Sequence, residues 1–351
     1  MKRKPARKKI RSIVNRSQKK KIARVLVAGL FFTVSLVFLF SYSFHNYLNQ
    51  NFASALSATS YSISDDNIPT VSYIVTENIS ANPVVVKKIS FLIFDKQNQK
   101  VSIYNVPTHI KFEIPGRFGN EEFSKMFALG AMNSENALVS GTDLINRSIF
   151  KLFGFKVDRF LLADSSQEAF FDKLWKEGGS INIFNLKSVS NFQNTLQTNL
   201  SLREFNNLLS LINSLPQDRI IDSTNTPKNF NDTSAFDENI KDETYESYVA
   251  QEKKNIAILN GTNFNGLATF GSRVVKNIGG RVVAVNNSEK FYEKSIIVAQ
   301  DPNSKTVAFL SRVFKIPTII QKEEARSFNE NEIDRSDVTV IFGFDTSGDL
   351  Y

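Results

Sequence analysis

The chain of 351 residues contains no cysteine and only two histidines, His45 and His109. It therefore has no disulfides and no thiolate metal ligands, and two distant histidines do not make the three or four close ligands of a zinc site. The Gly-x-Ser-x-Gly elbow of hydrolases and the Gly-x4-Gly-Lys-Ser/Thr phosphate loop are also missing. The fold must be stabilised by core burial, for which the composition of 42% hydrophobic residues, including 31 Phe, is sufficient.

Acidic residues are absent from the first 24 positions, where twelve of the 43 Lys and Arg residues lie. The formal net charge of +8 is therefore a property of this tail. The rest of the chain has 31 basic and 35 acidic residues, a net charge of −4.

Residues 25–44 carry no charge, and their polar breaks are only Thr, Ser and one Tyr. A helix of twenty residues spans about 30 Å, the thickness of the hydrocarbon core of a bilayer. Clustered Lys and Arg keep their flank in the cytoplasm. The sequence therefore predicts a single-pass cell-membrane protein with a cytoplasmic N-terminus and about 300 extracytoplasmic residues.

Two other interpretations of the N-terminal region remain. Basic tails bind nucleic acid through its phosphates, but the adjacent apolar segment favours a membrane, so no nucleic-acid partner is expected. The small residues Ala53 and Ala55 flank Ser54 in the pattern of a signal-peptide cleavage site. That site lies about ten residues beyond the apolar run, which favours an uncleaved anchor.

The extracytoplasmic part shows alternating strand and helix patterns, which predict an α/β or α+β fold. Residues 222–254 are polar, acid-rich and poor in aliphatic side chains, so we expect a flexible linker there. The predicted segments are a basic tail (1–24), a transmembrane helix (25–44), a stalk (45–82), a first domain (83–221), an acidic linker (222–254) and a small second domain (255–345).

The second domain has the order β-α-β-β-α-(β)-β, predicting helices packed on one face of a sheet. Its opening sequence, residues 256–285, reads "IAILNGTNFNGLATFGSRVVKNIGGRVVAV", and its last strand reads "DVTVIFGFD". Both stretches resemble the LytR C-terminal domain family. The first domain resembles the LytR-CpsA-Psr family in "QKVSIYNVP", "FGFKVDRFLLAD" and "KLWKEGGSINI".

The LytR-CpsA-Psr resemblance implies transfer of a glycopolymer from polyprenyl pyrophosphate to peptidoglycan, with arginines on the pyrophosphate and acidic residues on magnesium. Where that family has Ser-x-Pro-Arg-Asp, this chain reads Asn-Val-Pro-Thr-His, so Thr108 and His109 occupy a vacated family site. The preceding strand aligns Lys87 with a family Asp, and 183–201 has no counterpart of the family's Arg-x-Arg segment. The resemblance therefore implies a degenerate LytR-CpsA-Psr (LCP)-like domain.

We expect a non-catalytic binding or scaffolding module, with a cell-wall polymer or an envelope protein as partner, and no cofactor. A structural partner in an envelope complex, with an exposed apolar patch, is a further interpretation. The alternative is a divergent transferase with a relocated magnesium-dependent site, whose arginines and acids converge in one cleft. The residues that such a cleft would bring together are Arg117, Arg147, Arg159, Asp143 and Asp158.

Two smaller features carry candidate residues. The strand-to-helix loop of the second domain, rich in Asn and Gly, offers backbone N–H groups to an anion or simply forms a tight turn. Its candidate residues are Asn260, Gly261, Thr262, Asn265 and Gly266. Asp65 and Asp66 form an adjacent acidic pair in a polar stretch, and we expect both to be solvated.

Overall fold

The computed structural model describes residues 14–49, 61–63, 66–116, 118–132, 134–179, 195–223 and 234–350. These residues form two compact units, 1–50 and 51–351. The predicted cleavage site at Ala53 to Ala55, Arg117 and most of 183–201 lie outside the described residues.

The first unit is one helix, α1 (Val14–Asn49), which extends the predicted span of 25–44 at both ends. Its segment Lys20–Asn49 has a mean hydropathy of 2.3 over its most apolar window, and none of that window is buried within the structure. Among the described residues it is the one helix long and apolar enough to cross a membrane.

The second unit begins with a six-stranded mixed sheet in the order β7-β6-β1-β2-β3-β8. A separate hairpin of β4 and β5 follows β3 in the chain. The strands are β1 (Thr70–Thr76), β2 (Val86–Asp95), β3 (Lys100–Val106), β4 (Lys111–Ile114), β5 (Gly119–Glu122), β6 (Arg159–Asp164), β7 (Leu196–Thr198) and β8 (Ile220–Ser223). The helices are α2 (Met126–Ala131), α3 (Ala137–Phe153), α4 (Glu168–Glu177) and α5 (Leu202–Ser214).

Local signals explain why the helices of this sheet begin and end where they do. Asn136 caps α3 by accepting a hydrogen bond from the Val139 N–H at 3.2 Å, and Gly154 ends it in the left-handed conformation. Ser201 and Glu204 form a capping box at the start of α5. The chain before α3 is a strand first, β5, and becomes α-helical at Met126.

Phenylalanine and other aromatic side chains fill both faces of the first sheet. On one face Phe91 stacks on Tyr104 with ring centroids 4.9 Å apart and contacts Phe153 of α3 at 5.0 Å. On the other face Trp175 of α4 contacts the rings of Tyr73 and Phe205, among others. Each such fully buried side chain stabilises the fold by about 1.5–3 kcal/mol. This burial stabilises a chain that has no cysteine and therefore no disulfides.

The expected stalk and linker differ from the structure. β1 lies inside the predicted stalk (45–82) and is the third strand of the six, buried along its whole length. The predicted linker contains α6 (Ser234–Glu243) and α7 (Ser247–Glu252). Phe236 and Ile240 of α6 are buried in the first core, and Val249 of α7 is buried in the second. The segment 234–252 is therefore packed between the two sheets and is not a flexible tether.

The second sheet has five strands in the order β10-β9-β13-β11-β12. Its elements are β9 (Asn255–Asn260), α8 (Leu267–Asn277), β10 (Arg281–Asn287), β11 (Ile296–Ala299), α9 (Lys305–Phe314), β12 (Ile319–Gln321), α10 (Asn331–Arg335), β13 (Val338–Phe342) and α11 (Phe344–Leu350). The predicted order of strands and helices is present.

Both faces of this second sheet are covered, whereas the sequence predicted helices on one. The side chains of Ile256 and Ile258 pack with those of α8 and α9. The alternate residue Leu259 belongs to a separate core with Ala325 and Ile333. Successive strand residues point to opposite faces, so the segment around 325–333 covers the second face.

Arg273 of α8 fixes the second sheet's helices to the first sheet's helix α3. Its guanidinium contacts both carboxylate oxygens of Asp237 in α6, at 2.6–2.9 Å. It also donates to the carbonyls of Lys151 and Leu152 at 3.1 and 2.7 Å. These carbonyls belong to the C-terminal turn of α3, where a cation is favoured by the helix dipole.

Candidate functional site

Thr108 and His109, which stand where the resembled family has Arg and Asp, lie in a short turn between β3 and β4. Thr108 is half-buried there, and its carbonyl accepts a hydrogen bond from the Ser124 N–H at 2.9 Å. The His109 side chain is exposed. Lys87 is exposed at the start of β2. Within the described part of the chain no hydrogen bond or ion pair connects the side chains of these three residues, and their correspondence to family positions stays a prediction.

Arg159, one of the arginines proposed for a relocated site, lies in the core and is 3% exposed. Its Nη2 is 2.7 Å from Oε1 of Glu204, and its Nε is 3.2 Å from Oε2. Its remaining donors reach the carbonyls of Tyr61 and Asp158. Burial alone raises the pKa of Glu204, but the hydrogen bonds from Arg159 and from the Ser201 N–H outweigh burial and lower it. Arg159 therefore joins β6 to α5.

The other proposed residues are held in local pairs. Asp158 accepts hydrogen bonds from the N–H and the hydroxyl of Thr70 at 3.1 and 2.9 Å. Arg147 forms an i,i+4 ion pair with Asp143, Nε to Oδ2 2.8 Å. The Lys315 ammonium lies 3.6 Å from the same carboxylate. The structure thus brings Arg147 and Asp143 together and places the Arg159 guanidinium elsewhere, against Glu204.

A cavity of about 60 Å³ lies beside the Arg147 pair, between α3, α9 and α11. Its walls are mainly apolar, from Phe150, Val157 and Phe314, with the cations Arg147, Lys156 and Lys315 among the lining residues. Lys156 is the residue that sequence reasoning missed here. Nothing in "FGFKVD" distinguishes a buried lysine from a solvated one, because its partners come from distant α9.

The strand-to-helix loop of the second sheet uses its hydrogen-bonding groups internally. The Asn260 Oδ1 accepts from the N–H and hydroxyl of Thr262 at 3.1 and 2.7 Å, and its Nδ2 donates to the Phe264 carbonyl at 2.8 Å. The Gly261 N–H donates to the Phe342 carbonyl at 2.8 Å. Gly266 adopts φ +87° and precedes α8, a conformation that favours glycine.

An open cleft lies at the carboxyl ends of β9 and β10, next to this loop. It has a volume of about 260 Å³, and its polar lining residues include Asn260, Thr269, Asn286 and Asn287. Three aromatic rings form a row at the same end of the sheet. The centroid of Phe344 lies 6.4 Å from that of Phe264 and 6.0 Å from that of Phe291. Phe291 is 69% exposed, the largest exposure among the large apolar side chains that the structure describes in the second unit.

Binding by Asn260, Gly261, Thr262, Asn265 and Gly266 stays a prediction. Among the described residues, no group of three or more His, Cys, Asp or Glu side chains is arranged to hold a metal ion.

Of the two acidic residues that were expected to be solvated, Asp66 is not fully exposed. Asp65 lies outside the described residues. Asp66 is half-buried, and its Oδ1 lies 3.0 Å from Nη1 of Arg312 in α9. The two residues are 246 positions apart, so no local pattern in the sequence indicates this pair.

No protein-family model matches this chain, and no curated protein matches it. The second domain's resemblance to the LytR C-terminal domain therefore stays a prediction.

Solved structures do match, at low similarity. TagV of B. subtilis has 8% identity and a TM-score of 0.36, covering 45% of this chain and 84% of that one. TagT bound to LI-WTA has 14% identity and a TM-score of 0.34, covering 50% and 85%. The LytR-CPS2A-psr family protein YwtF (TagT) with bound octaprenyl pyrophosphate lipid has 14% identity and a TM-score of 0.32, covering 50% and 84%. YwtF (TagT) is named as a protein of the LytR-CPS2A-psr family, which the sequence of the first domain resembles.

Proposed function

We propose that this chain is a membrane-anchored protein of the bacterial cell envelope whose two-sheet unit binds wall polymer or an envelope partner without catalysing transfer. The helix α1 anchors it, and the basic tail keeps the N-terminus in the cytoplasm. The two sheets then stand on the outer side of the membrane.

The observation that carries this proposal is the position of the Arg159 guanidinium, buried against Glu204. Pyrophosphate is bound by several arginine forks that converge on its oxygens. The Arg159 guanidinium is buried in an ion pair with Glu204, and Arg147 is paired with Asp143. Thr108 and His109 supply neither an arginine fork nor a carboxylate. Among the described residues, neither the family positions Thr108 and His109 nor the pair Arg147 and Arg159 therefore supplies converging guanidinium groups.

The carboxyl edge of the second sheet is the surface that we assign to polymer binding. Of the polar side chains lining its cleft, Thr269 and Asn287 supply neutral donors and acceptors, which suit the hydroxyl groups of a glycan. The exposed ring of Phe291 adds an apolar face against which a sugar ring can pack.

A specific observation favours the alternative of a divergent transferase, namely the cavity that Arg147, Lys156 and Lys315 help to line. A magnesium-dependent pyrophosphate site relocated to this cavity would use these cations in place of the family arginines. The ligand named for YwtF, octaprenyl pyrophosphate, is the probe for this alternative.

The test is co-sedimentation of the full chain, in detergent micelles, with purified peptidoglycan carrying its wall polymers. We expect Phe291→Ala to lower the bound fraction at least threefold. The matched control, Phe170→Ala, removes another exposed phenylalanine (42% exposed, on α4) and should leave binding unchanged. Equal binding by all three proteins, or no binding by the wild type, would contradict the assignment.

A further inference from the structure

The junction between the two sheets contains a cluster of charged side chains whose grouping plays no part in the proposed binding of wall polymer. We call this cluster the joint; its residues are Asp66, Lys156, Asp158, Glu246 and Arg312. The first three belong to the first sheet and its loops, Arg312 to α9, and Glu246 to the turn before α7.

Arg312 makes the direct contacts of the joint. Its Nη1 pairs with Oδ1 of Asp66 at 3.0 Å, and its guanidinium carbon lies 4.1 Å from the ring centroid of Tyr61. Its backbone carbonyl accepts a hydrogen bond from Nζ of Lys156 at 2.9 Å. Arg312 of α9 therefore contacts three residues that belong to the first sheet or to the segments beside it.

Glu246 is a buried member of the joint with an incompletely hydrogen-bonded carboxylate. It is 2% exposed, and its Oε2 has no hydrogen-bond partner in the described part of the chain. It lines a cavity of about 30 Å³, the volume of about one water molecule, together with Lys156, Asp158 and Arg312. A buried carboxylate without full hydrogen bonding is costly, and protonation removes much of that cost.

The carboxylates of the joint outnumber the cations that directly contact them. Burial, then repulsion from Asp66 and Asp158, raises the pKa of Glu246 to about 7 against the opposing effects of Arg312 and Asn67. Burial, then Asp158, raises the pKa of Asp66 to about 6, opposed by Arg312 and by Lys96.

Lys156 titrates in the opposite sense. Burial lowers the pKa of its ammonium to about 8, opposed by Asp158 and assisted by the charges of Arg312, Lys315 and Arg159. The closed joint thus disfavours the ammonium form of Lys156 as well as the charged form of Glu246.

We propose that the joint is a proton-linked latch between the two sheets, which gains a proton on Glu246 and Asp66 when it closes and opens more readily as the pH rises toward neutrality.

The direction follows from proton linkage. Separation of the sheets exposes Glu246 and Asp66 to water and returns their pKa values toward 4.5 and 3.8. The closed state therefore binds more protons than the open state between about pH 4 and 7, and its stability falls as the pH rises through that window. For one released proton, the opening constant rises by up to about tenfold per pH unit.

Lys156 reverses the trend at higher pH. Its pKa is lower in the closed state, so opening takes up a proton between about pH 8 and 10, and closure becomes more favourable as the pH rises. The opening constant should accordingly be largest between about pH 7 and 8. Opening would separate Phe150 of α3 from Phe270 of α8, whose rings now meet edge to face at 5.0 Å.

The test uses fluorescence energy transfer in the full chain, in detergent micelles. The absence of native cysteine lets the exposed positions Lys173→Cys and Arg281→Cys carry the two dyes, one on each sheet unit. We expect the population with a long distance to rise at least tenfold from pH 5 to 7.5 and to fall again above about pH 9.

Glu246→Gln should keep the joint closed and flatten the rise between pH 5 and 7.5, because a neutral amide replaces the titrating carboxyl. The control Asp242→Asn removes an exposed acid of α6 and should retain the wild-type profile. If Glu246→Gln fails to fold, Asp66→Asn provides the same comparison with a smaller flattening. A distance distribution independent of pH, an opening that increases toward acid, or an unchanged profile in Glu246→Gln would overturn the proposal.

Discussion

Arg159 and Glu204, 45 residues apart in sequence, form an ion pair in which both side chains are at most 5% exposed. The pair links β6 to the first turn of α5, where Glu204 also completes the capping box with Ser201. The same arginine is one of the three that the sequence offered for a relocated phosphate site. Its burial is therefore the structural reason for assigning a binding role to this chain.

Arg159→Met should destabilise the folded unit by about 3–5 kcal/mol, because it leaves the Glu204 carboxylate buried without its cation. Thermal unfolding followed by circular dichroism measures this effect. The double variant Arg159→Met with Glu204→Gln should recover part of the loss, since no charge is then left unpaired. Full stability of Arg159→Met combined with lost polymer binding would instead make Arg159 a ligand-binding residue.

The pair also has a pH dependence opposite to that of the joint. The pKa of Glu204 is lowered in the fold, so its stabilising contribution is present above its ordinary value of 4.5 and is lost as the pH falls through the lower value. Acid unfolding of the wild type should therefore require a lower pH than acid unfolding of Arg159→Met. Circular dichroism during acid titration compares the two, and coincident transitions would contradict this role of the pair.

Gly271 of α8 faces β13, and an added Cβ would lie 2.4 Å from Cε2 of Phe342. Gly271→Ala should cost about 1–3 kcal/mol through overpacking, despite the higher helix propensity of alanine. Gly348→Ala is the matched control, because nothing lies within 4 Å of its added Cβ. Chemical denaturation gives both values; equal stability of the two variants would show that α8 does not pack on β13 in this way.

The amphipathic helices could be predicted from sequence because each carries its own signal. α3 has apolar residues at helical spacing between Asn136 and Gly154, and α5 starts at a capping box. In contrast, α6 carries only Phe236 and Ile240 as buried side chains within an acidic stretch, so its composition resembled that of a linker. This helix is stabilised by contacts with both sheets, and the pattern of residues within α6 does not predict such contacts.

The ionic contacts between the sheets also could not be predicted from the sequence, because they join residues that are far apart in the chain. Arg312 and Asp66 meet only because α9 packs beside the loop before β1. Similarly, "TVSYIVT" lies within the predicted stalk, and three of its seven residues are Ser or Thr. In the structure Ser72 instead donates to Oδ1 of Asn146 at 2.8 Å, so a buried strand accommodates it.

Replacement of the turn residues Thr108 and His109 tests the vacated site directly. The double variant Thr108→Ala with His109→Ala should change the free energy of unfolding by less than about 0.5 kcal/mol, because His109 is exposed and Thr108 contributes its carbonyl to the Ser124 N–H. Sedimentation with peptidoglycan should also be unaffected. A selective loss of binding with stability retained would place the ligand at this turn.

The most direct test of the account compares two ligands of the full chain in detergent micelles by isothermal titration calorimetry. One is a soluble wall-polymer fragment, and the other is a polyprenyl pyrophosphate with and without magnesium. We expect the wall fragment to bind without magnesium and the pyrophosphate to show no magnesium-dependent binding. Magnesium-dependent pyrophosphate binding that is lost in Lys156→Met would contradict the proposed binding role and favour the transferase alternative.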